Sequence, residues 1–270
     1  MVNISYEPTE DSSEQSILIA TSDDAMYKFD EVVVTVPLGC LKRSKPTFIP
    51  PLPDQLVQAI RHVGYGRLEK VYVRFDTAFW QKEEPDGVKP FEFRFLTPEY
   101  ATEQNPEKWS MECVCLSALG DGYASATLIF YLHGPIGEHV TSLVRGYEQD
   151  SLEQYNRLDG FFSPYYTRLP GYNDKTCRPI GFYNTDWQND SLAGNGSYST
   201  FQVSDHKKDG LVELDKCLAI LAHGWPERRL WFAGEHTSPT EALGTTTGAY
   251  WSGEVVAERM ARVYGLESRQ

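Results

Sequence analysis

The 270-residue sequence lacks the apolar segments that membrane and secreted proteins carry. No apolar run approaches the ~20 residues that a membrane-spanning helix needs, and no secretory signal follows Met1. These absences predict a soluble protein without a membrane partner, and we expect it in the cytoplasm. Internal repeats, low-complexity tracts and separating linkers are absent too, so the length predicts one large domain or two ordinary ones.

Cysteine is scarce and irregularly placed. The five cysteines are odd in number and scattered, which gives no regular disulfide framework. Cys113 and Cys115 lie on one face of a predicted strand, without a second pair or nearby histidines. We interpret them as core residues rather than a zinc site, and the sequence predicts no metal site.

Basic residues are outnumbered, with 25 Lys and Arg against 38 Asp and Glu and a net charge of −13. This balance argues against nucleic acid and anionic membranes as partners and favours cationic ligands. An ordinary acidic protein is the alternative that composition allows. A hydrophobic content of 41%, with 13% aromatic residues, is enough for a sizeable core.

A G-x-G-x-x-G loop after a strand is also absent. A self-contained dinucleotide-binding βαβ unit would begin with that loop, so we expect the sequence to start inside such a fold. What is present is a Val-rich run, DEVVVTVPLG at 30–39. Because it is apolar on both faces, it is typical of a strand in a parallel sheet that helices cover. Helical spacing follows at 53–64, between a proline start and a glycine stop.

The middle of the chain alternates polar and apolar residues. In RLEKVYVRFDTAFW, residues 67–80, Val71, Val73 and Phe75 share one face of a predicted strand, and Lys70 lies on the other face. The remaining predictions are further strands within 91–133, helical periodicity over 136–158, an irregular aromatic segment at 161–200 and a short helix at 211–223.

The stretch LWFAGEHTSPTEALGTTTGAYWSG, residues 230–253, joins an apolar strand to a helix of small residues. Its small pairs at i,i+4, Gly248 with Ser252 and Ala249 with Gly253, would let the helix approach a backbone or a flat ring closely. The unpaired N–H groups at its start would stabilise an anionic group, such as the pyrimidine edge of a reduced flavin. A plain strand–loop–helix unit explains these residues equally well.

This stretch resembles the C-terminal FAD motif of the flavin-dependent amine oxidases, nearest to their polyamine oxidase and lysine-specific demethylase branch. DEVVVTVPLGCLKRSKPTFIPPLP, GYGRLEKVYVRFDTAFW and DWQNDSLAGNGSYS resemble further segments of that family, in its order, so the resemblance covers residues 1–264. It implies an α/β fold with an incomplete, Rossmann-like FAD-binding domain formed by 1–50 and 196–270. A substrate-binding domain with a mixed sheet and helices is implied for 51–195.

The resemblance implies cofactor-binding roles for particular residues. Glu235 matches the glutamate beside the ribityl–pyrophosphate part of FAD, and Gly234 and Gly248 match glycines that admit the cofactor. Thr246 matches the position whose backbone N–H bonds the flavin pyrimidine edge. Thr245 belongs to the same set and stands where monoamine oxidases place a second aromatic wall, which implies an open, one-sided cage. A solvated loop carboxylate is the alternative for Glu235.

Catalytic and substrate positions are implied in the same way. Lys70 matches the lysine that holds a water near flavin N5, although a solvent-facing strand lysine is the alternative. Trp187 and Tyr198 match aromatic positions in the substrate channel, where ring faces attract an amine cation; core packing is the alternative for both. Ser197 stands where monoamine oxidases carry the cysteine that binds FAD covalently, so non-covalent FAD is implied.

The resemblance implies an FAD-dependent amine oxidase that acts on a small-molecule amine or polyamine. Molecular oxygen would be the second substrate, and an aldehyde, a shorter amine and hydrogen peroxide the products. The family's N-terminal portion, with its glycine loop, has no counterpart among these motifs. The alternative is therefore a truncated, non-catalytic fragment that serves as an interaction module or as half of a split enzyme. Either a homo-oligomer or a partner that supplies the N-terminal half would cover the apolar surface expected there.

Overall fold

The chain alternates short strands with helices along its length. The computed structural model describes residues 3–7, 16–82, 93–120, 122–201 and 210–266. Its strands are β1 Asn3–Glu7, β2 Ser16–Ala20, β3 Met26–Phe29, β4 Val32–Val34, β5 Thr47–Ile49, β6 Gly64–Gly66, β7 Leu68–Phe75, β8 Phe93–Leu96, β9 Met111–Cys115, β10 Thr127–His133, β11 Pro179–Asn184, β12 Tyr198–Thr200 and β13 Leu230–Phe232. Its helices are α1 Leu38–Lys42, α2 Asp54–His62, α3 Pro135–Leu143, α4 Leu152–Tyr166, α5 Gly210–His223 and α6 Thr246–Val263. The α/β class predicted from the sequence is confirmed.

The chain forms two compact units. Unit 1 comprises Met1–Gly66 with Gln188–Gln270, and unit 2 comprises Arg67–Trp187. The first stretch of unit 1 ends at Gly66, whereas the first FAD-binding segment was predicted to end at residue 50. The difference arises because α2 packs on α5 and β6 pairs with β12, both within unit 1. The assignment of FAD binding to one unit and of substrate binding to the other stays a prediction.

The described residues of unit 1 form three small sheets. The four-stranded sheet has the order β3-β2-β1-β5, in which β1 pairs parallel to β5 and the other pairs are antiparallel. β13 pairs parallel to β4, and β12 pairs antiparallel to β6. A hydrophobic cluster from β1, β4, α2, α5 and β13 forms the core beneath them.

The Val-rich run is shorter and less buried than its sequence predicts. Only Val32–Val34 forms the strand β4, and its pairing with β13 is parallel as predicted. Val32 and Val34 are buried, but 37% of the Val33 side chain is exposed, so burial on both faces is wrong at this position. A continuous apolar run shows that both faces could be buried, and the covering elements decide whether they are.

The helix α2 forms where the spacing predicts it. Pro53 caps its start, where a missing N–H costs nothing, and Leu56, Ile60 and Val63 are buried on one face. The short helix predicted at 211–223 is also confirmed as α5, Gly210–His223. No helix among the described residues is long and apolar enough to cross a membrane.

Unit 2 is built on a five-stranded sheet with the order β11-β7-β10-β9-β8. All four described pairings are antiparallel, so the mixed sheet expected for the substrate domain is wrong for this unit. Antiparallel neighbours need only short connections, and β9 and β10 follow each other along the chain and pair directly. The predicted faces of β7 are confirmed, because Val71, Val73 and Phe75 are buried.

Aromatic side chains of α4 cover one face of this sheet. The segment predicted as irregular at 161–200 begins with the last two turns of α4, whose Phe161, Phe162 and Tyr165 lie in the core of unit 2. It also contains the strand β11. Core packing outweighs the low helix propensity of aromatic residues in this segment. Cys113 and Cys115 are fully buried in the same core, as predicted.

Candidate functional site

The start of α6 is an exposed helix N-terminus in unit 1. Thr245 caps the helix, and its hydroxyl accepts a hydrogen bond from the Gly248 N–H at 2.9 Å. Thr246 is the first helical residue, and Thr245–Thr247 are all exposed. The first N–H groups of a helix have no acceptor within it and carry partial positive charge. This end of α6 can therefore receive a partly anionic group.

Gly248 and Gly234 are required by the packing of the chain itself. A Cβ at Gly248 would lie 2.2 Å from the Ala242 carbonyl oxygen, so the close approach predicted for this helix is to its own loop. Gly234 has φ +141°, and a Cβ there would lie 2.7 Å from the His236 ring. The Gly234 N–H donates to Ser252 Oγ at 2.8 Å. Their predicted role in admitting a cofactor stays a prediction.

Glu235 joins β12 to the loop before α6. Its half-buried carboxylate accepts hydrogen bonds from the Ser199 hydroxyl at 2.8 Å, the Ser199 N–H at 3.2 Å and the Gly244 N–H at 2.9 Å. Burial raises the pKa of this carboxyl, and the hydrogen bonds from Ser199 and Gly244 act in the opposite direction. The alternative of a solvated loop carboxylate is wrong.

Tyr198 lies beside this carboxylate network. It is half-buried on β12, and a Cβ at Gly244 would lie 2.8 Å from its ring. The preceding Ser197 donates from its N–H to the Gly66 carbonyl oxygen at 2.9 Å and from its hydroxyl at 3.1 Å. Tyr198, Ser199, Glu235, Gly244 and the Thr245–Thr246 start of α6 together form what we call the helix-start cluster.

A second group of candidate residues lies in unit 2. The Lys70 side chain is half-buried, with its Nζ 5.3 Å from the centroid of the Tyr131 ring. The Lys70 N–H donates to Thr185 Oγ1 at 2.8 Å, and the Thr185 N–H donates to the Lys70 carbonyl oxygen at 3.0 Å. Trp187 follows Thr185 closely, its side chain 41% exposed. Plain core packing is therefore wrong as an account of Trp187.

Glu69 completes this group. It is 1% exposed, and its Oε2 accepts from the Thr185 hydroxyl at 2.6 Å and from the Trp187 N–H at 3.1 Å. Glu69, Lys70, Tyr131, Thr185 and Trp187 form what we call the lysine cluster.

The predicted site residues thus fall into two groups. Unit 1 brings together Tyr198, Glu235, Thr245 and Thr246, with Gly234 and Gly248 supporting the same loops. Unit 2 links Lys70 to Trp187 through the hydrogen bonds of Thr185 and Glu69. A wall shared by Trp187 and Tyr198 stays a prediction, because these residues belong to different units. The part of the chain that the structure describes holds no group of His, Cys, Asp and Glu suited to a metal ion.

Sequence reasoning missed three supporting residues, Ser199, Thr185 and Glu69. Ser199 has no signal in the sequence, because 36 residues separate it from Glu235. Glu69 has one: it shares the odd-numbered face of β7 with Val71 and Val73, where a charged residue must be buried and partnered.

Comparisons with known proteins show which family this chain resembles. A family model described as flavin-containing amine oxidoreductase matches residues 1–261. The corticosteroid-binding protein of Candida albicans is 28% identical over 249 residues, which are 90% of this chain and 47% of that protein. The peroxisomal N(1)-acetyl-spermine/spermidine oxidase of Bos taurus is 29% identical over 256 residues, 94% of this chain and 46% of that protein.

A solved structure, wild-type putrescine oxidase bound to putrescine, shows the same fold. The match covers 96% of this chain and 47% of the putrescine oxidase chain, with a TM-score of 0.62 and 17% sequence identity. The chain spans about half the length of these two relatives and of putrescine oxidase. Since the family model covers nearly the whole sequence and the fold agrees, this chain belongs to the flavin-containing amine oxidoreductase family.

Proposed function

We propose that this chain carries the substrate-side and flavin-edge residues of an FAD-dependent oxidase of polyamine-type amines. The observation that carries the proposal is the exposed, positively polarised start of α6 beside the hydrogen-bonded, half-buried Glu235 carboxylate. Overall, an amine, oxygen and water would give an aldehyde, a shorter amine and hydrogen peroxide. When bound, FAD supplies the two-electron oxidation of the amine and the return of those electrons to oxygen.

The helix-start cluster fits a flavin. The N–H of Thr246 is available at the helix start, and the partial positive charge there favours the electron-rich edge of the ring. Glu235 holds the loop that carries Gly244 and Thr245, so the helix start is fixed before any ligand arrives. The hydroxyl of Ser197 is bonded to Gly66, and a serine forms no thioether, so we propose non-covalent binding.

The lysine cluster would serve the amine and the water. Lys70 presents an ammonium group from the strand face opposite the buried Val71, where it can hold and polarise a water molecule. Trp187 offers an exposed ring face, which attracts a cationic amine by ~0.5–2 kcal/mol and orients it once it is neutral.

A polyamine-type substrate agrees with the charge and with the relatives. The net charge of −13 favours cationic substrates over neutral ones. One relative is named for oxidising acetylated spermine and spermidine, and one structural neighbour holds putrescine.

Titration of the 270-residue chain with FAD, followed by anaerobic N-acetylated polyamine, tests the proposal. We expect FAD to bind, the amine to bleach the flavin absorbance, and oxygen to restore it. Denaturation in acid should release all of the flavin from the protein. Failure to bind FAD, or binding without bleaching by spermine or its acetylated forms, contradicts the proposal for this chain alone.

We also propose a second function, in which the chain acts only together with a polypeptide that corresponds to the remaining half of its relatives. One feature of unit 1 favours it. β13 pairs with β4 alone among the described strands, although parallel sheets are normally larger and covered on both faces. A groove of about 380 Å³ runs beside Phe232 of β13, between α5 and α6. No β4 residue belongs to its described lining, which includes the apolar Leu218, Val255 and Val256. Such a groove suits an added apolar strand at the edge of β13.

A further inference from the structure

Glu69 is a carboxylate buried in unit 2 within the strand that carries Lys70. Its side chain is 1% exposed and shares a face with the fully buried Val71 and Val73. A Cβ built at Gly137, in the first turn of α3, would lie 3.5 Å from the Glu69 Cγ, so the helix covers it closely. Burial of a carboxylate is costly unless hydrogen bonds compensate for the lost water. A residue with a simple structural role on this face would be apolar.

Two hydrogen bonds of the Glu69 carboxylate lead to one short segment. Its Oε2 accepts from the hydroxyl of Thr185 at 2.6 Å and from the N–H of Trp187 at 3.1 Å. The Thr185 hydroxyl oxygen in turn accepts from the N–H of Lys70 at 2.8 Å. One carboxylate thus bonds directly to the backbone of Trp187 and, through a single hydroxyl, to the backbone of Lys70.

We propose that Glu69 is a positioning residue that fixes Trp187 directly, and Lys70 through Thr185, on the strand β7. The importance of Trp187 and Lys70 for amine oxidation rests on the proposed function. The positioning of their backbones by Glu69 does not depend on that function. Trp187 lies just beyond the last residue of β11, Asn184, so no strand pairing holds its backbone. Because Trp187 is 41% exposed, core packing does not fix it either.

A carboxylate suits this task better than an uncharged side chain. Thr185 and Trp187 both donate to the same carboxylate oxygen, and hydrogen bonds to an ionised acceptor are roughly twice as strong as neutral ones. The amide of a glutamine has a single, uncharged acceptor and adds two donors that would need partners. The substitution Glu69→Gln therefore keeps the volume of the side chain but weakens both bonds.

Amide hydrogen exchange of the full chain, resolved by NMR, tests the inference without cofactor or amine. In Glu69→Gln, the Trp187 amide should exchange about tenfold faster or more, while the core amide of Leu128 in β10 should not change. In Thr185→Val, the exchange rate of the Lys70 amide should rise by a similar factor, because the hydroxyl that accepts its hydrogen bond is removed. The emission of Trp187, isolated by subtracting the same variant with Trp187→Phe, should shift to the red in Glu69→Gln.

The matched control is Glu138→Gln. Glu138 is an exposed carboxylate of unit 2 that forms an ion pair with Arg67 at 3.2 Å, and its loss should leave the Trp187 and Lys70 amides unchanged. An unchanged Trp187 amide in Glu69→Gln, or exchange that rises equally at Leu128, overturns the inference. Should Glu69→Gln not fold, an unchanged Lys70 amide in Thr185→Val overturns it. A chain that shows the expected exchange but oxidises no amine refutes only the proposed function.

Discussion

Glu235 and His236 are adjacent residues whose pKa values burial shifts in opposite directions. Burial raises the pKa of the Glu235 carboxyl, although its oxygens accept hydrogen bonds from Ser199 and Gly244. His236 is 1% exposed, and its Nε2 has no hydrogen-bond partner among the described residues. Burial lowers the pKa of this imidazole to about 4, from an ordinary value of 6.5. Both residues are therefore held toward their neutral forms beside the start of α6.

His236 should make the protein less stable as the pH falls from 7 toward 4. In this range the unfolded chain takes up a proton at His236 and the folded chain does not. The free energy of unfolding therefore decreases as the pH decreases. The loss approaches about 3 kcal/mol at pH 4, on the order of 1.4 kcal/mol for each unit of pKa difference. Urea denaturation of the parent and of His236→Gln between pH 7 and 4 measures it.

The control for this titration is His62→Gln, because His62 is exposed and bonds only the Gln58 carbonyl oxygen among the described contacts. It should keep the pH dependence of the parent. The raised pKa of Glu235 changes stability with pH in the opposite direction. Its contribution to the free energy of unfolding is fully present below the ordinary pKa of a glutamate and is lost as the pH rises through the pKa of the folded state. Only the difference between parent and His236→Gln isolates the histidine. Parallel curves for these two proteins would refute its neutral burial.

Side-chain positions were predictable only where they leave a pattern in the sequence. The alternation of β7 placed Lys70 opposite Val71, and it also marks Glu69 as a charge on the buried face. Ser199 and Thr185 could not be found, because a hydroxyl that bonds a distant residue follows no local periodicity.

At the level of elements, α6 is shaped by what it packs against. Its buried face is the stripe Gly248, Ser252 and Val256, at i, i+4 and i+8. Gly248 lets the first turn lie against the Ala242 carbonyl oxygen, whereas nothing lies within 4 Å of a Cβ built at Gly253. Of the two small pairs noted in the sequence, only the first is needed for close approach within the chain.

The two glycines should respond in opposite directions to alanine. Gly248→Ala should destabilise the protein by about 1–3 kcal/mol, because the backbone at Ala242 must move to admit the methyl group. Gly253→Ala should stabilise it by about 0.5–1 kcal/mol through better helix propensity in open space. The midpoints of urea unfolding measure both, and Gly253→Ala serves as the control for Gly248→Ala. Similar midpoints for the two variants would contradict the packing described here.

Elements with a clear period were predicted well. The helix α2 agrees with its helical spacing and the strand β7 with its alternation, α5 forms where a short helix was predicted, and β10 lies within the predicted strand region 91–133. The errors arose where long-range packing decides: aromatic core contacts extend α4 through Tyr166, and Val33 stays exposed in β4. The antiparallel order of the sheet in unit 2 likewise depends on which strands meet, which no local pattern records.

For the whole molecule, the chain contains both clusters but spans about half the length of its relatives. In the second proposed function, the groove beside β13 would receive the further strand, because residues of α5 and α6 line it together with Phe232. Its rim carries Asp215 and Glu241, so a strand flanked by basic residues would suit it. If that strand is required, FAD binding depends on a second polypeptide as well as on the helix-start cluster.

Co-expression with the unmatched half of the Bos taurus oxidase, supplied as a separate chain, tests this requirement. We expect the two chains to purify together and to retain FAD at a higher fraction than this chain alone. Ala219→Trp should reduce that association at least tenfold, because Ala219 is an exposed residue of α5 that lines the groove. Lys216→Trp, at an exposed position of the same helix outside the groove, should leave association unchanged. Equal association of both variants would exclude the groove as the binding surface, and full FAD binding without the second chain would exclude the requirement itself.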